Sequence, residues 1–367
     1  MTNKATETRI ARLRDSLRQT GNDMIVLGTG PHMRWLLGFQ PHGDERFLAL
    51  LVTQADAVFV MPALEAPASG QHTDLPMFKW KDADGPGDAL AQALTAVGGA
   101  DARAVVIDET MRADFALTVL DLLPGMRRSF TDATIGRLRM CKDAGELAAL
   151  KESARLDDQA MRAAFAAIRP GMTESDLAQV VRDCFGRAGA EPLFTIVGTG
   201  GNGAFPHHHT GDTVLKRGDA VVIDIGARLN GMPSDITRMA VVGDKPEGYD
   251  EIHAIVEGAV QAAMAAARIG ARAHEVDAAA RNHIAAHGYG DCFTHRTGHG
   301  LGVEVHEPPY ISGSSQTVLE EGMVFSIEPG IYLEGRFGLR LEDIVYMTAD
   351  GPVRLSELPR DVFVAGT

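Results

Sequence analysis

Cysteine is scarce in this chain: Cys141, Cys184 and Cys292 are its only three, and they stand far apart among 367 residues. An odd count with no close pair excludes a disulfide framework and a zinc knuckle, so all three read as reduced thiols. No apolar run approaches the roughly 20 residues of a membrane span. The first residues, MTNKATETRIARLRDSLRQTG, lack the apolar core of a signal peptide and instead set Ile10, Leu13 and Leu17 at helix spacing. Positive charge is short as well. Lys and Arg number 35 against 49 Asp and Glu, a formal charge of −14, which is the opposite of the clustered basic face that nucleic acid requires. The glycines of residues 198–203 have the composition of a phosphate cradle, but no lysine follows in a strand-to-helix setting, and the segment reads as a flexible loop. The expectation left standing is a cytoplasmic enzyme or binding protein with neither a nucleic-acid nor a membrane partner.

The length exceeds the roughly 250–300 residues at which single cores stop growing, so two domains are expected. From Asp23 to about Asp132, short apolar strands (24–28, 47–52, 57–62 and 104–108) alternate with helical stretches near 88–97 and 113–123, the pattern of an α/β domain. A longer helical stretch runs from Ala144 to Ile168. The junction is placed near 135, giving domains 1–135 and 136–367.

The second part is duplicated. Residues 214–229 and 318–333 overlay at a constant offset of 104 with six identities, and the register sets Asp224 opposite Glu328. A second echo, at an offset of 99, pairs Gly171 with Gly270, Gly189 with Gly288, Phe194 with Phe293 and His207 with His306. Each copy reads as a helix, a glycine-ended turn, a strand, a histidine and an acid-bearing hairpin. Two long copies are not a solenoid; two halves closing on a cleft fit better. Each half also brings a second acid, Asp235 in SDITR (234–238) and Glu342 in RLED (340–343). Four carboxylates across a pseudo-two-fold repel unless cations sit between them. With His299 of TGHGLG (297–302) they form a donor set suited to a pair of divalent ions such as Mn, Co, Zn or Fe.

The run FTHRTGHGLGVEVHEPP (293–309), with SDITR, SIEPGIY (326–332) and RLED, resembles the metallopeptidase family with the pita-bread fold, which includes methionine aminopeptidase, Xaa-Pro aminopeptidase and prolidase, with creatinase a relative. The resemblance spans roughly residues 140 to 360, a length suited to one catalytic domain. It implies a creatinase-like α/β amino-terminal domain followed by an α+β pseudo-two-fold pita-bread catalytic domain. It also implies that Asp224 holds a first metal, that Asp235 and Glu342 bridge both metals, and that His299 and Glu328 complete the second. Creatinase works without metal and lacks this ligand set, so its presence here argues for metal, with Mn or Co expected and Zn or Fe compatible.

The same resemblance implies substrate roles for His207, His295 and His306 and places Arg340 near the bridging carboxylates. Glu328 is the candidate to take a proton from the attacking water and return it to the leaving nitrogen. Alternatives stay open for three groups. His295 is either a substrate contact or a packed residue orienting His299; Arg340 is either a substrate contact or the ion-pair partner that balances Glu342; and His208 and His209 read as a solvated loop. Arg34, Trp35 and His42 read as core or surface residues, or as part of a pocket completed in a homodimer, the assembly usual among similar proteins. Some prolidases carry an arginine after the HExP segment to hold a dipeptide's carboxylate, and Tyr310 stands there in this chain. The leading reading is a prolidase-like Xaa-Pro dipeptidase acting on a small peptide with proline second. The alternatives are an Xaa-Pro aminopeptidase, a hydrolase of a non-peptide amide or amino-acid derivative, and a non-enzymatic binding protein.

Overall fold

A computed structural model describes residues 4–366. It divides into two compact units, Met1–Arg139 and Met140–Thr367, and helix Ile135–Met140 runs through the division.

The first unit is built on a mixed six-stranded sheet, ordered Met77–Trp80, Ala57–Pro62, Ala49–Thr53, Met24–Leu27, Ala104–Ile107 and Arg127–Ser129. The central strands Met24–Leu27, Ala49–Thr53 and Ala57–Pro62 are buried along their whole length, as expected of strands covered on both faces. Helix Lys4–Thr20 buries Ile10, Leu13 and Leu17, one apolar stripe. Trp35 is buried beneath the Arg9 guanidinium. The two edge strands, Met77–Trp80 and Arg127–Ser129, escape a reading by apolar pattern, because each carries polar residues in a short run.

The second unit repeats itself. In its first half, helices Ala144–Ala167 and Glu174–Arg187 share a core with strands Glu191–Thr199, Ala220–Leu229 and Ile236–Val242. In its second half, helices Tyr249–Ala266 and Ala273–Ala286 share a core with Val324–Ile327, Gly330–Leu333 and Asp343–Thr348. Equivalent joints recur at the offsets found in the sequence. Gly171 N–H donates to Leu215 O and Gly270 N–H to Leu319 O, both at 2.9 Å. Bridges Thr173–Val214 and Arg272–Val318 lie beside them. Gly171 and Gly270 adopt φ of 90° and 89°, a left-handed conformation that glycine takes without steric cost. The copies differ where strand Glu191–Thr199 has the 3-10 helix Gly290–Cys292 as its counterpart, and again at the acids. Ala220–Leu229 runs unbroken past Asp224, whereas its counterpart stops at Ile327 and resumes at Gly330, because Pro329 has no N–H to give the ladder.

Residues 198–203 correct the expectation of a flexible loop. They close strand Glu191–Thr199 and form the short 3-10 helix Gly200–Ala204. The buried Glu174 carboxylate fixes them, accepting from Thr199 N–H and Asn202 Nδ2 at 2.9 Å each.

Candidate metal centre and cleft

One strand and the ends of three others deliver the acids. Asp224 lies mid-strand in Ala220–Leu229, opposite Thr237 of Ile236–Val242, with Asp235 just before that second strand. Glu328 follows Val324–Ile327, and Glu342 precedes Asp343–Thr348. His299 sits in the strand Gly298–Gly300, squeezed between neighbours: a Cβ on Gly298 would lie 1.9 Å from Ser326 O, and one on Gly300 would lie 2.3 Å from Pro308 O. Only glycines flanking His299 let that strand fit.

The five side chains converge. One oxygen each from Asp224, Asp235 and Glu342 lies within 4.8 Å of the others, as do ligand atoms of His299, Glu328 and Glu342. His299 Nε2 is 3.2 Å from Glu328 Oε1 and 3.6 Å from Asp235 Oδ2. Its Nδ1 lies 3.1 Å from Gly300 O, so Nδ1–H donates to that carbonyl and the Nε2 lone pair faces the carboxylates. A lone pair aimed at two carboxylate oxygens is repulsive unless a proton or a cation lies between them.

Two further observations test the fit to metal. Asp224 Oδ1 and Glu342 Oε1 are buried without a hydrogen-bond partner, an arrangement that costs free energy as it stands. Burial, followed by the neighbouring carboxylates, pushes Asp235 and Glu342 well above the ordinary range. Burial also raises Asp224, against the pull of Arg340. For Glu328 burial acts upward, but His299, His295 and Arg340 outweigh it and hold the carboxyl low. Four carboxylates and one imidazole, desolvated and with orphaned oxygens, fit a pair of divalent cations.

The same residues line a cavity of roughly 630 Å³ together with Leu193, Phe194, Ile196, Pro206 and Val305. His207, His295, His306, Arg296 and Arg340 also line it. His306 packs edge-on to the His299 ring at 4.1 Å, and burial followed by His299 lowers its pKa to about 4.

His295 does not orient His299. Its Nδ1 lies 2.7 Å from Arg296 O and its Nε2 2.7 Å from the Tyr332 hydroxyl. His299 is instead fixed by Gly300 O and by Ser326 Oγ, which accepts from its N–H at 2.9 Å. Arg340 pairs with Asp224 rather than with Glu342: Nη2 reaches Asp224 Oδ2 at 2.5 Å, Nε reaches Thr237 Oγ1 at 3.0 Å and Nη1 reaches the Tyr332 hydroxyl at 2.9 Å. His208 is turned to Glu174 at 2.8 Å, while His209 is exposed.

Three residues at the site escaped the sequence reading. Thr237 Oγ1 donates to Glu342 Oε2 at 2.7 Å and Ser326 Oγ to Glu328 Oε1 at 2.9 Å, and Tyr332 links His295 to Arg340. All three lie inside the quoted motifs, and their position two to four residues from an acid is the signal that could have found them.

Residues 148–349 match Metallopeptidase family M24, and residues 9–141 match the Creatinase/Prolidase N-terminal domain. Among relatives, a probable dipeptidase PepE of Mycobacterium tuberculosis is 38% identical, covering 93% of this chain and 91% of its own. A Xaa-Pro dipeptidase of Pyrococcus horikoshii is 33% identical over 96% and 98%. Among solved structures, dipeptidase PepE from Mycobacterium ulcerans superposes with a TM-score of 0.91 at 35% identity, covering 98% of each chain. Prolidase from Thermococcus sibiricus gives 0.89 at 32%, covering 99% of this chain and all of its own. With its catalytic stretch matched across more than half its length and relatives a third identical from end to end, the chain belongs to metallopeptidase family M24.

Proposed function

We propose that this protein is a Xaa-Pro dipeptidase, with residues 1–135 as its amino-terminal domain and 136–367 as its catalytic domain. It acts on a small peptide with proline second and works as a cytoplasmic homodimer. Two divalent ions, Mn or Co, are held by Asp224, Asp235, His299, Glu328 and Glu342. The single observation that carries this reading is the convergence of those five side chains, with their orphaned buried oxygens, on one wall of a cavity. The choice of substrate is supported by relatives named Xaa-Pro dipeptidase from Pyrococcus horikoshii, Pyrococcus furiosus and Lactobacillus helveticus, all 33–34% identical. An apolar lining of Leu193, Phe194, Ile196 and Val305 suits a pyrrolidine ring.

Bound divalent ions would supply Lewis acidity and lower the pKa of water toward neutrality. Glu328, its Oε1 tethered by Ser326, takes the proton of the attacking water and delivers it to the proline nitrogen. That nitrogen has no N–H and leaves only when protonated. His207 and His306 donate hydrogen bonds to the oxygen that gains charge as the carbonyl turns tetrahedral. Arg340 holds Asp224 and, through Tyr332, His295 in place.

The test is a matrix of metals and substrates. Protein loaded in turn with Mn, Co, Zn or Fe is assayed on Xaa-Pro dipeptides, Xaa-Pro-containing tripeptides and non-proline dipeptides. Turnover confined to Xaa-Pro dipeptides is expected. A preference for the tripeptides would favour an aminopeptidase, and indifference to all three would defeat both peptidase versions.

A further inference from the structure

We infer that Arg296 is the cation that receives the free carboxylate of a dipeptide, and so sets the length of peptide the cleft accepts; this deepens the dipeptidase reading and rests on it. Arg296 lines the catalytic cavity, and its guanidinium carbon stands 4.6 Å from the centre of the Tyr310 ring. In this chain the aromatic face carries a guanidinium supplied from a different strand connection.

The backbone beneath Arg296 is pinned on both sides. Thr297 donates from N–H and Oγ1 to Asp277 Oδ1 at 3.0 and 2.8 Å, and Arg281 Nη2 donates to His295 O at 2.8 Å. Both anchors belong to helix Ala273–Ala286. Of the two arginines lining the cavity, Arg340 is committed to Asp224. Among the described residues no carboxylate lies within ion-pair distance of Arg296. A half-buried guanidinium held over a ring, on a fixed backbone and without a counter-ion, is suited to recognising a carboxylate by two parallel hydrogen bonds. A longer peptide would present a neutral amide at that place.

The experiment compares wild type, R296Q and R296K on Ala-Pro and on Ala-Pro amide, and by calorimetry on the acid and amide forms of an Ala-Pro analogue whose scissile bond is reduced to CH2–N. Metal content and thermal midpoint are matched first. For R296Q the KM for Ala-Pro should rise about 10–100-fold, the loss of one charge-assisted contact. Its kcat should hold and the amide should be unaffected, with R296K in between. The wild type should bind the reduced acid more tightly than the reduced amide, and R296Q should not. Equal losses on acid and amide, or no loss on the acid, would overturn the assignment, as would wild type binding both analogues alike. Wild type that ignores Ala-Pro but cleaves Ala-Ala would sink the proline preference alone. The acid-against-amide comparison is then read on Ala-Ala.

Discussion

Arg340 and Asp224, 116 residues apart and drawn from opposite halves of the duplicated unit, meet in the interior with Nη2 2.5 Å from Oδ2. Arg340 is buried and also donates to Thr237, Tyr332 and the Pro206 carbonyl.

Removing that guanidinium strands a buried carboxylate. Arg340→Met should therefore destabilise the metal-free protein by about 3–5 kcal/mol, the cost of breaking a buried pair from one side. In the proposed site divalent ions would compensate Asp224 directly, so the variant should gain more stability from metal than wild type does. Thermal unfolding of metal-free and metal-loaded protein checks this. Equal gains from metal would mean that Arg340 and the cations do not share Asp224.

Metal removal should be coupled to proton uptake. Burial and mutual repulsion raise Asp235 and Glu342 well above the ordinary carboxylate range, so without cations burial and repulsion favour their protonated forms, and loading should displace protons. Calorimetric titration of Mn in buffers of different ionisation enthalpy, near pH 7, should report net proton release on binding. Asp235→Asn should reduce it. A buffer-independent enthalpy would contradict the electrostatics.

His306→Ala should retain metal and lose turnover by about a hundredfold to a thousandfold, the effect of deleting one donor to a developing oxyanion. Metal content by elemental analysis and kcat on Ala-Pro are the two readings. Unaltered kcat in metal-replete variant protein removes His306 from the chemistry.

Much of the site was legible because duplication and strand periodicity are local signals. The offsets of 104 and 99 residues reappear as matching hydrogen bonds at Gly171 and Gly270, and the five donors named from their motifs lie together. What the sequence hid was contact across the two halves. Nothing near Arg340 announces that its partner is Asp224 rather than Glu342, and His208 gives no sign that it turns to Glu174, 34 residues earlier. Thr237 and Ser326 look like ordinary strand residues until the fold sets their hydroxyls against carboxylates. The glycines at 198–203 looked loose because the carboxylate that orders them lies on another helix.

The amino-terminal unit offers a pH test of its own. Glu109 accepts from Thr131 N–H and Oγ1 and meets His32 Nε2 at 3.1 Å; His32 Nδ1 in turn accepts from Arg139 at 3.0 Å. Burial acts upward on Glu109, but the bonds from His32 and Thr131 outweigh it and lower the carboxyl from 4.5 to about 2. A depressed folded-state pKa contributes stability above the unfolded value of 4.5, and that contribution is lost as pH falls toward 2. Glu109→Gln should thus cost about 1 kcal/mol at pH 7, reduced by the partial exposure of the side chain, with the difference from wild type shrinking below pH 4.5. Both tryptophans, Trp35 and Trp80, lie in this unit, so denaturant unfolding followed by tryptophan fluorescence reads it selectively. A deficit that persists unchanged to pH 3 would contradict the bond network.

The most direct measurement is anomalous diffraction from crystals soaked in manganese. Two peaks about 3.5–4 Å apart are expected, enclosed by Asp224, Asp235, His299, Glu328 and Glu342, with Asp235 and Glu342 reaching both. A map with no peak among those side chains, at full Mn occupancy elsewhere or none at all, would contradict the account at its root.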